Sequence, residues 1–268
     1  ITVNGLTVGK GANSVASNTA LGIDALDSGS LSGTLNTAVG YAALLSNTTG
    51  ARNTAIGGNV LDANTTGAFL TAVGWGALGA NITGASNSAF GDASLVNNTS
   101  GSENTAVGQG ALYSNTTANY NTALGRQALF SNTTASNNTA VGYQALYDNT
   151  TGTALTALGY QALADNTASY NTAVGHLALR FNTTGRNTAY GNTSLYANTT
   201  GSINTAIGDN SLVANTTGNY NTALGYQSLA SNTTASNNTA VGYAALFDNT
   251  TGTSLTALGV NALANNTT

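Results

Sequence analysis

The chain has 268 residues, including 33 Gly but no Pro, Cys or Met, and only 5% of its residues are charged, a composition far from that of an ordinary globular enzyme. The absence of Cys excludes disulfides and thiol chemistry. A net charge of -4, with Lys10, Arg52, Arg126, Arg180 and Arg186 as the only cations, supplies no basic patch for nucleic-acid phosphates and no polybasic anchor for a membrane surface.

Residues 1–17 precede the repeats and are predicted to cap them; residues 18–268 form one tandem array. Within it a block of consensus Asn-Thr-Ala-Val-Gly begins at positions 18, 36, 53, 70, 87, 104, 121, 138, 155, 171, 187, 204, 221, 238 and 255, so the period is 17 residues, with one spacing of 18 and two of 16. The full unit reads Asn-Thr-Ala-Val-Gly-Tyr-Gln-Ala-Leu-x-x-Asn-Thr-Thr-Gly-x-x. Its third position is Ala in every copy, its fifth Gly and its ninth Leu. The segment from Asn121 returns from Asn221 with few changes, an offset of 100 residues that equals six units, which is the mark of block duplication.

A 17-residue period is too short for helical-pair repeats, and a Gly plus an Asn-Thr-Thr run in every unit would break a helix. The reading that fits is an all-β parallel β-solenoid of about fifteen coils. Each coil is expected to hold two short strands, Thr-Ala-Val before the fixed Gly and roughly Tyr-Gln-Ala-Leu after it, closed by the polar turn. Coils stacked ~4.8 Å apart would make a rod on the order of 70 Å long. The fixed glycines Gly40, Gly57, Gly74, Gly108, Gly125, Gly142, Gly159, Gly225 and Gly242 are predicted to adopt a backbone angle that a Cβ would forbid, or to permit close backbone approach. Strand alternation places Ala on one face and Thr and Val on the other, and sends the adjacent Ala and Leu of the second strand opposite ways. Both faces would then carry apolar atoms. One would fill the coil, and the other would form a stripe to be covered by other chains, expected here as a homotrimer, intertwined or side by side.

The turn asparagines Asn47, Asn64, Asn81, Asn98, Asn115, Asn132, Asn149, Asn182, Asn198, Asn215, Asn232 and Asn249 each open an Asn-x-Thr/Ser sequon, the acceptor pattern for glycosylation. The same spacing suits an Asn ladder stacked coil on coil, which is the favoured expectation. Aromatic residues recur after the fixed Gly (Tyr41, Trp75, Tyr143, Tyr160, Tyr226, Tyr243) and after the fixed Leu (Tyr113, Phe130, Tyr147, Tyr196, Phe247). They suit either a seam between chains or a stripe for stacking a glycan or protein receptor, and the seam is favoured.

Converging catalytic groups are not expected from so uniform an array. His176, the one histidine, takes the place that Tyr holds in other copies and reads as a surface residue. Asp148, Asp165 and Asp248 sit just before turn asparagines, where local hydrogen bonding explains them. No metal site, cofactor or catalytic residue is predicted, and no apolar run reaches the ~18 residues of a membrane span.

The motif Asn-Thr-Ala-Val-Gly-Tyr-x-Ala-Leu resembles the Ser-Val-Ala-Ile-Gly-x-x-Ala repeats of YadA-type trimeric adhesin heads. It resembles still more the Asn-Thr-Ala-Val-Gly-Tyr-Gln-Ala-Leu arrays of phage tail fibres, and the opening stretch Asn4-Gly5-Leu6-Thr7-Val8-Gly9-Lys10-Gly11 is similar to the lead-in of such fibres. The likeness covers residues 8–268. It implies a left-handed trimeric β-roll with receptor binding on its outside, in an extracellular virion appendage or on a cell surface. The expected function is therefore a non-enzymatic fibre segment of a virion tail fibre serving host attachment, self-associating as a trimer, with head-to-tail stacking as a further mode. The alternatives are a bacterial trimeric adhesin or self-assembling extracellular filament, and an ice-binding β-solenoid, which would need an exposed ladder of the Thr that fills the second position in fourteen of fifteen copies. A polysaccharide-degrading fibre is disfavoured because no acid cluster breaks the repeat.

Overall fold

A computed structural model describes residues 2–3 and 6–267. Asn4 and Gly5 of the lead-in motif, Ile1 and the final Thr268 lie outside the described residues. The chain forms two compact units, divided between Asn137 and Asn138 inside the repeat array.

In the first unit, β1 (Thr2–Val3) pairs antiparallel with β2 (Leu6–Gly9), and β2 pairs antiparallel with β3 (Thr19–Gly22). A three-residue 3-10 turn, Ala12–Ser14, lies between β2 and β3. From β3 the pairing becomes parallel through β4 (Thr37–Val39), β5 (Thr54–Ile56), β6 (Thr71–Val73), β7 (Ser88–Phe90), β8 (Thr105–Val107) and β9 (Thr122–Leu124). Each strand is one copy of the Thr-Ala-Val motif, in register with the next: Ala38 faces Ala55, and Ala55 faces Ala72.

The second unit repeats this arrangement through β10 (Thr139–Val141), β11 (Thr156–Leu158), β12 (Thr172–Val174), β13 (Asn187–Tyr190), β14 (Asn204–Ile207), β15 (Thr222–Leu224), β16 (Thr239–Val241) and β17 (Thr256–Leu258), all parallel and in register. Both units are therefore parallel β-solenoids with a repeat of about 17 residues and almost no helix.

The expected second strand is corrected. In every coil the segment after the fixed Gly is a run of turns, not a strand. Its seventh and ninth residues take left-handed backbone angles, as in Gln144 (φ 52°) and Leu146 (φ 54°). The alternation of hand folds this segment so that the eighth and ninth side chains both turn inward. Ala145 and Leu146 are each fully buried, as are Ala128 and Leu129. Left-handed backbone costs about 1–2 kcal/mol for a residue with a Cβ; burial of a leucine side chain, worth roughly 1.5–3 kcal/mol, offsets it. The period-2 rule that split Ala from Leu fails because there is no pleat to impose it. The segment's contribution to an outer apolar face disappears with that correction.

The core of each unit is consequently narrow. It contains the strand Ala, the Ala-Leu pair and two columns of Asn. Where the eighth position is Ser, the buried hydroxyl donates within its own turn, Ser94 to Gly91 O at 2.9 Å and Ser211 to Gly208 O at 2.8 Å, so the polar substitution is satisfied.

Candidate functional site

The fixed glycines occupy one corner of each coil. From Gly40 to Gly259 their φ values run from 122° to 140°, a region essentially reserved for glycine. Each corner also presses on the next. A Cβ at Gly74 would stand 2.5 Å from Gly91 O, one at Gly108 2.6 Å from Gly125 O, and those at Gly40, Gly57, Gly142, Gly159, Gly225 and Gly242 would meet the following corner glycine in the same way. Both reasons anticipated for a glycine apply together, and Gly125, at φ 135°, shares the conformation. These residues shape the coil.

The turn asparagines form a buried ladder within each unit. In the first, Asn64 donates to Asn47 Oδ1, Asn81 to Asn64, Asn98 to Asn81 and Asn115 to Asn98, each at 2.8 Å, and Asn132 donates to Asn115 at 3.2 Å. In the second, Asn198 donates to Asn182 at 2.9 Å, Asn215 to Asn198 at 2.8 Å, Asn232 to Asn215 at 2.9 Å and Asn249 to Asn232 at 3.1 Å. Asn149 Oδ1 accepts from the Gly152 N–H at 3.0 Å. Asn166, which a sequon search misses because Ala168 follows Thr167, is also a rung and accepts from Asn182 at 3.0 Å. Each amide makes a second bond inside its own turn, for example Asn64 to Gly67 O at 3.1 Å. These side chains have no solvent exposure, so a glycan on Nδ2 has no path outward from the folded coil.

A second column was not anticipated as buried. The Asn that opens the repeat points inward: Asn53 Nδ2 donates to Gly67 O at 2.9 Å, and its Oδ1 accepts from the Leu70 N–H at 2.9 Å. One turn carbonyl thus accepts from both columns. The sequence signal was the near-invariance of an Asn where a strand would favour a β-branched residue. Leu70 and Leu155 replace this Asn and are fully buried, which places the position against the core.

The outward faces carry the remaining candidates. Thr and the fourth-position residue of each strand point to solvent, with Ile56 41%, Leu124 46%, Leu158 45% and Leu224 44% exposed. Beside them run the aromatics that follow the fixed Gly. Tyr41, Trp75, Tyr160, Tyr226 and Tyr243 are exposed, and they stack where coils supply neighbours: Tyr143 on Tyr160 at 5.3 Å, Tyr226 on Tyr243 at 5.4 Å. His176 continues the first stack, 5.2 Å from Tyr160, with Nδ1 3.1 Å from Asn192 Oδ1. After the fixed Leu, Tyr113 stacks on Phe130 at 4.9 Å and Tyr196 meets Phe181 edge-on at 5.1 Å.

Of the acids named from sequence, Asp165 faces Arg180 at 3.6 Å in a half-exposed pair worth little. Asp248 lines a groove of about 550 Å³ with Tyr243 and Phe247. No group of three or more His, Cys, Asp or Glu that could hold a metal occurs among the described residues, and no described helix is long and apolar enough to cross a membrane. Comparison with protein-family models, curated proteins and solved structures finds no match to this chain.

Proposed function

We propose that the chain is a structural segment of an extracellular fibre that associates as a homotrimer and carries an appendage to its target surface, a virion tail fibre before a bacterial adhesin. The supporting observation is the outward strand face of each unit, where Val, Leu, Ile and the occasional Phe90 or Tyr190 line up in register beside a column of exposed aromatics. A water-facing sheet would carry polar groups at these positions. A continuous apolar column of this kind suits burial against other copies of itself. The measurement is the mass of the purified chain in solution by light scattering. A value near three times 26.5 kDa is expected; a monomer overturns the trimer.

The exposed threonines favour a second reading. Thr105 and Thr122 in the first unit and Thr139 and Thr156 in the second are exposed on their strands, and within each unit parallel in-register pairing sets such threonines in a row, as an ice-binding face requires. Thermal hysteresis from a monomeric sample would bring this reading forward, and its absence would remove it.

A further inference from the structure

The two 16-residue spacings in the second unit each lose one residue from the turn: Asn166-Thr-Ala-Ser-Tyr170 and Asn182-Thr-Thr-Gly-Arg186 each stand where Asn149-Thr-Thr-Gly-Thr-Ala would set the regular length. The deletions disturb the stacking locally. Gly185 moves to φ 91°. The Arg186 N–H donates to the Ser202 hydroxyl at 3.2 Å, whereas the equivalent Tyr220 N–H donates to Ser202 O at 3.0 Å. Beside these two turns lies an open groove of about 430 Å³, lined by Ser169, Gly185 and Ser202 and walled by Tyr170, Arg186 and Ile203. A smaller groove of about 150 Å³, bordered by Thr188 and Thr205, adjoins the same three wall residues on the strand side.

The wall chemistry is specific. The Arg186 guanidinium lies 4.6 Å from the centroid of the Tyr170 ring, which holds it in place without neutralising it. Among the described residues no carboxylate pairs with Arg186. Tyr170 and Ile203 are 58% and 54% exposed. A preorganised, unneutralised guanidinium beside apolar ring and aliphatic walls, in a groove edged by hydroxyls, matches a ligand with one anionic group on a hydroxyl-rich, partly apolar ring.

We propose that this notch binds an acidic saccharide, with the sugar carboxylate on Arg186 and the ring resting against the exposed Tyr170 and Ile203 side chains on either side of it. The proposal deepens the attachment reading and rests on it for its purpose, while its test is independent of chain number. The same pairing recurs in the first unit, where Arg52 lies 5.2 Å from the Phe69 ring, but no turn residue is lost there. It therefore serves as an internal control.

The test is isothermal titration of the full chain with a galacturonic acid oligomer and with sialyllactose, alongside a neutral maltooligosaccharide of matched length. At least one acidic probe is expected to bind, once per chain and more weakly as salt rises, while the neutral probe does not. Arg186→Gln and Tyr170→Ala are each expected to weaken binding tenfold or more with an unchanged circular dichroism spectrum, and Arg52→Gln to leave it intact. Absence of binding by both acidic probes overturns the proposal. So does equal loss in the Arg52→Gln and Arg186→Gln chains, which would mean diffuse charge attraction. A trimer without saccharide binding would remove the notch and keep the fibre; a monomer with binding would do the reverse.

Discussion

Two residue types in this chain pay conformational costs that the repeat imposes, and they respond differently to substitution. The corner glycine combines a φ that a side chain adopts only with strain, about 1–3 kcal/mol, with a neighbouring carbonyl already inside the radius of a Cβ. Gly108→Ala is therefore expected to destabilise the chain by about 3 kcal/mol or more, measured by denaturant unfolding, and an unchanged midpoint would show that the corner can relax. The fixed Leu also carries a positive φ, but its side chain is wholly buried and offsets that cost. Asp62 is a smaller case. Burial raises its carboxyl above the ordinary 3.8, although hydrogen bonds from its own backbone and that of Ala63 pull the other way. A raised folded-state value means that proton binding favours the fold; the contribution is complete below the ordinary value and is lost as pH rises through the folded one. Asp62→Asn is thus expected to match or exceed the parent in melting temperature at neutral pH and to lose that advantage as pH falls toward 4.

At the scale of the coil, the two asparagine columns have different tolerances. Asn98 donates to Asn81 Oδ1 and Gly101 O and accepts from Asn115 Nδ2, all within the core. Its removal strands several buried partners, each costing about 1–3 kcal/mol. Asn98→Ala is expected to cost about 3 kcal/mol. At the repeat's opening position the chain itself places Leu70 and Leu155, buried in the same environment. Asn104→Leu is therefore expected to cost at least about 1 kcal/mol less than Asn98→Ala in the same unfolding assay. A reversed order would mean that the inner column holds the coil. The sequence pointed to the Asn-Thr-Thr turn, to its ladder as the favoured reading over a glycosylation site, and to the strand Thr-Ala-Val, because each is a short-range pattern. It did not show that Tyr-Gln-Ala-Leu would abandon the strand. Gln144 and Leu146 have no intrinsic preference for left-handed backbone; closing a narrow coil around both Ala145 and Leu146 imposes it.

At the scale of the whole molecule, stability is expected to be distributed along each array, since a coil bonds chiefly to its two neighbours. The outward columns offer a direct probe of association. Leu158→Lys together with Leu224→Lys places charge on residues 45% and 44% exposed in the single chain, where it costs the fold little. In a trimer packed on this face both charges would be buried unpaired. The doubly substituted chain is expected to scatter as a monomer with an unchanged circular dichroism spectrum. If it stays trimeric, chains meet elsewhere.

The sequence by itself determined the repeat, its period, the parallel stacking of coils, the corner glycine and the turn ladder, because a 17-residue pattern repeated with fixed Ala, Gly and Leu leaves few ways to satisfy backbone and core together. Only the tertiary structure decided that each coil has one strand instead of two, that the repeat-opening Asn faces inward, and that Ala and Leu share one core. It also brought residues of three coils together: Tyr170, Arg186 and Ile203, each about one coil apart in sequence, become neighbours on one wall only because the coils stack. Side-chain direction depends on backbone hand, and the hand is selected by closure of the coil, which no local window of sequence contains.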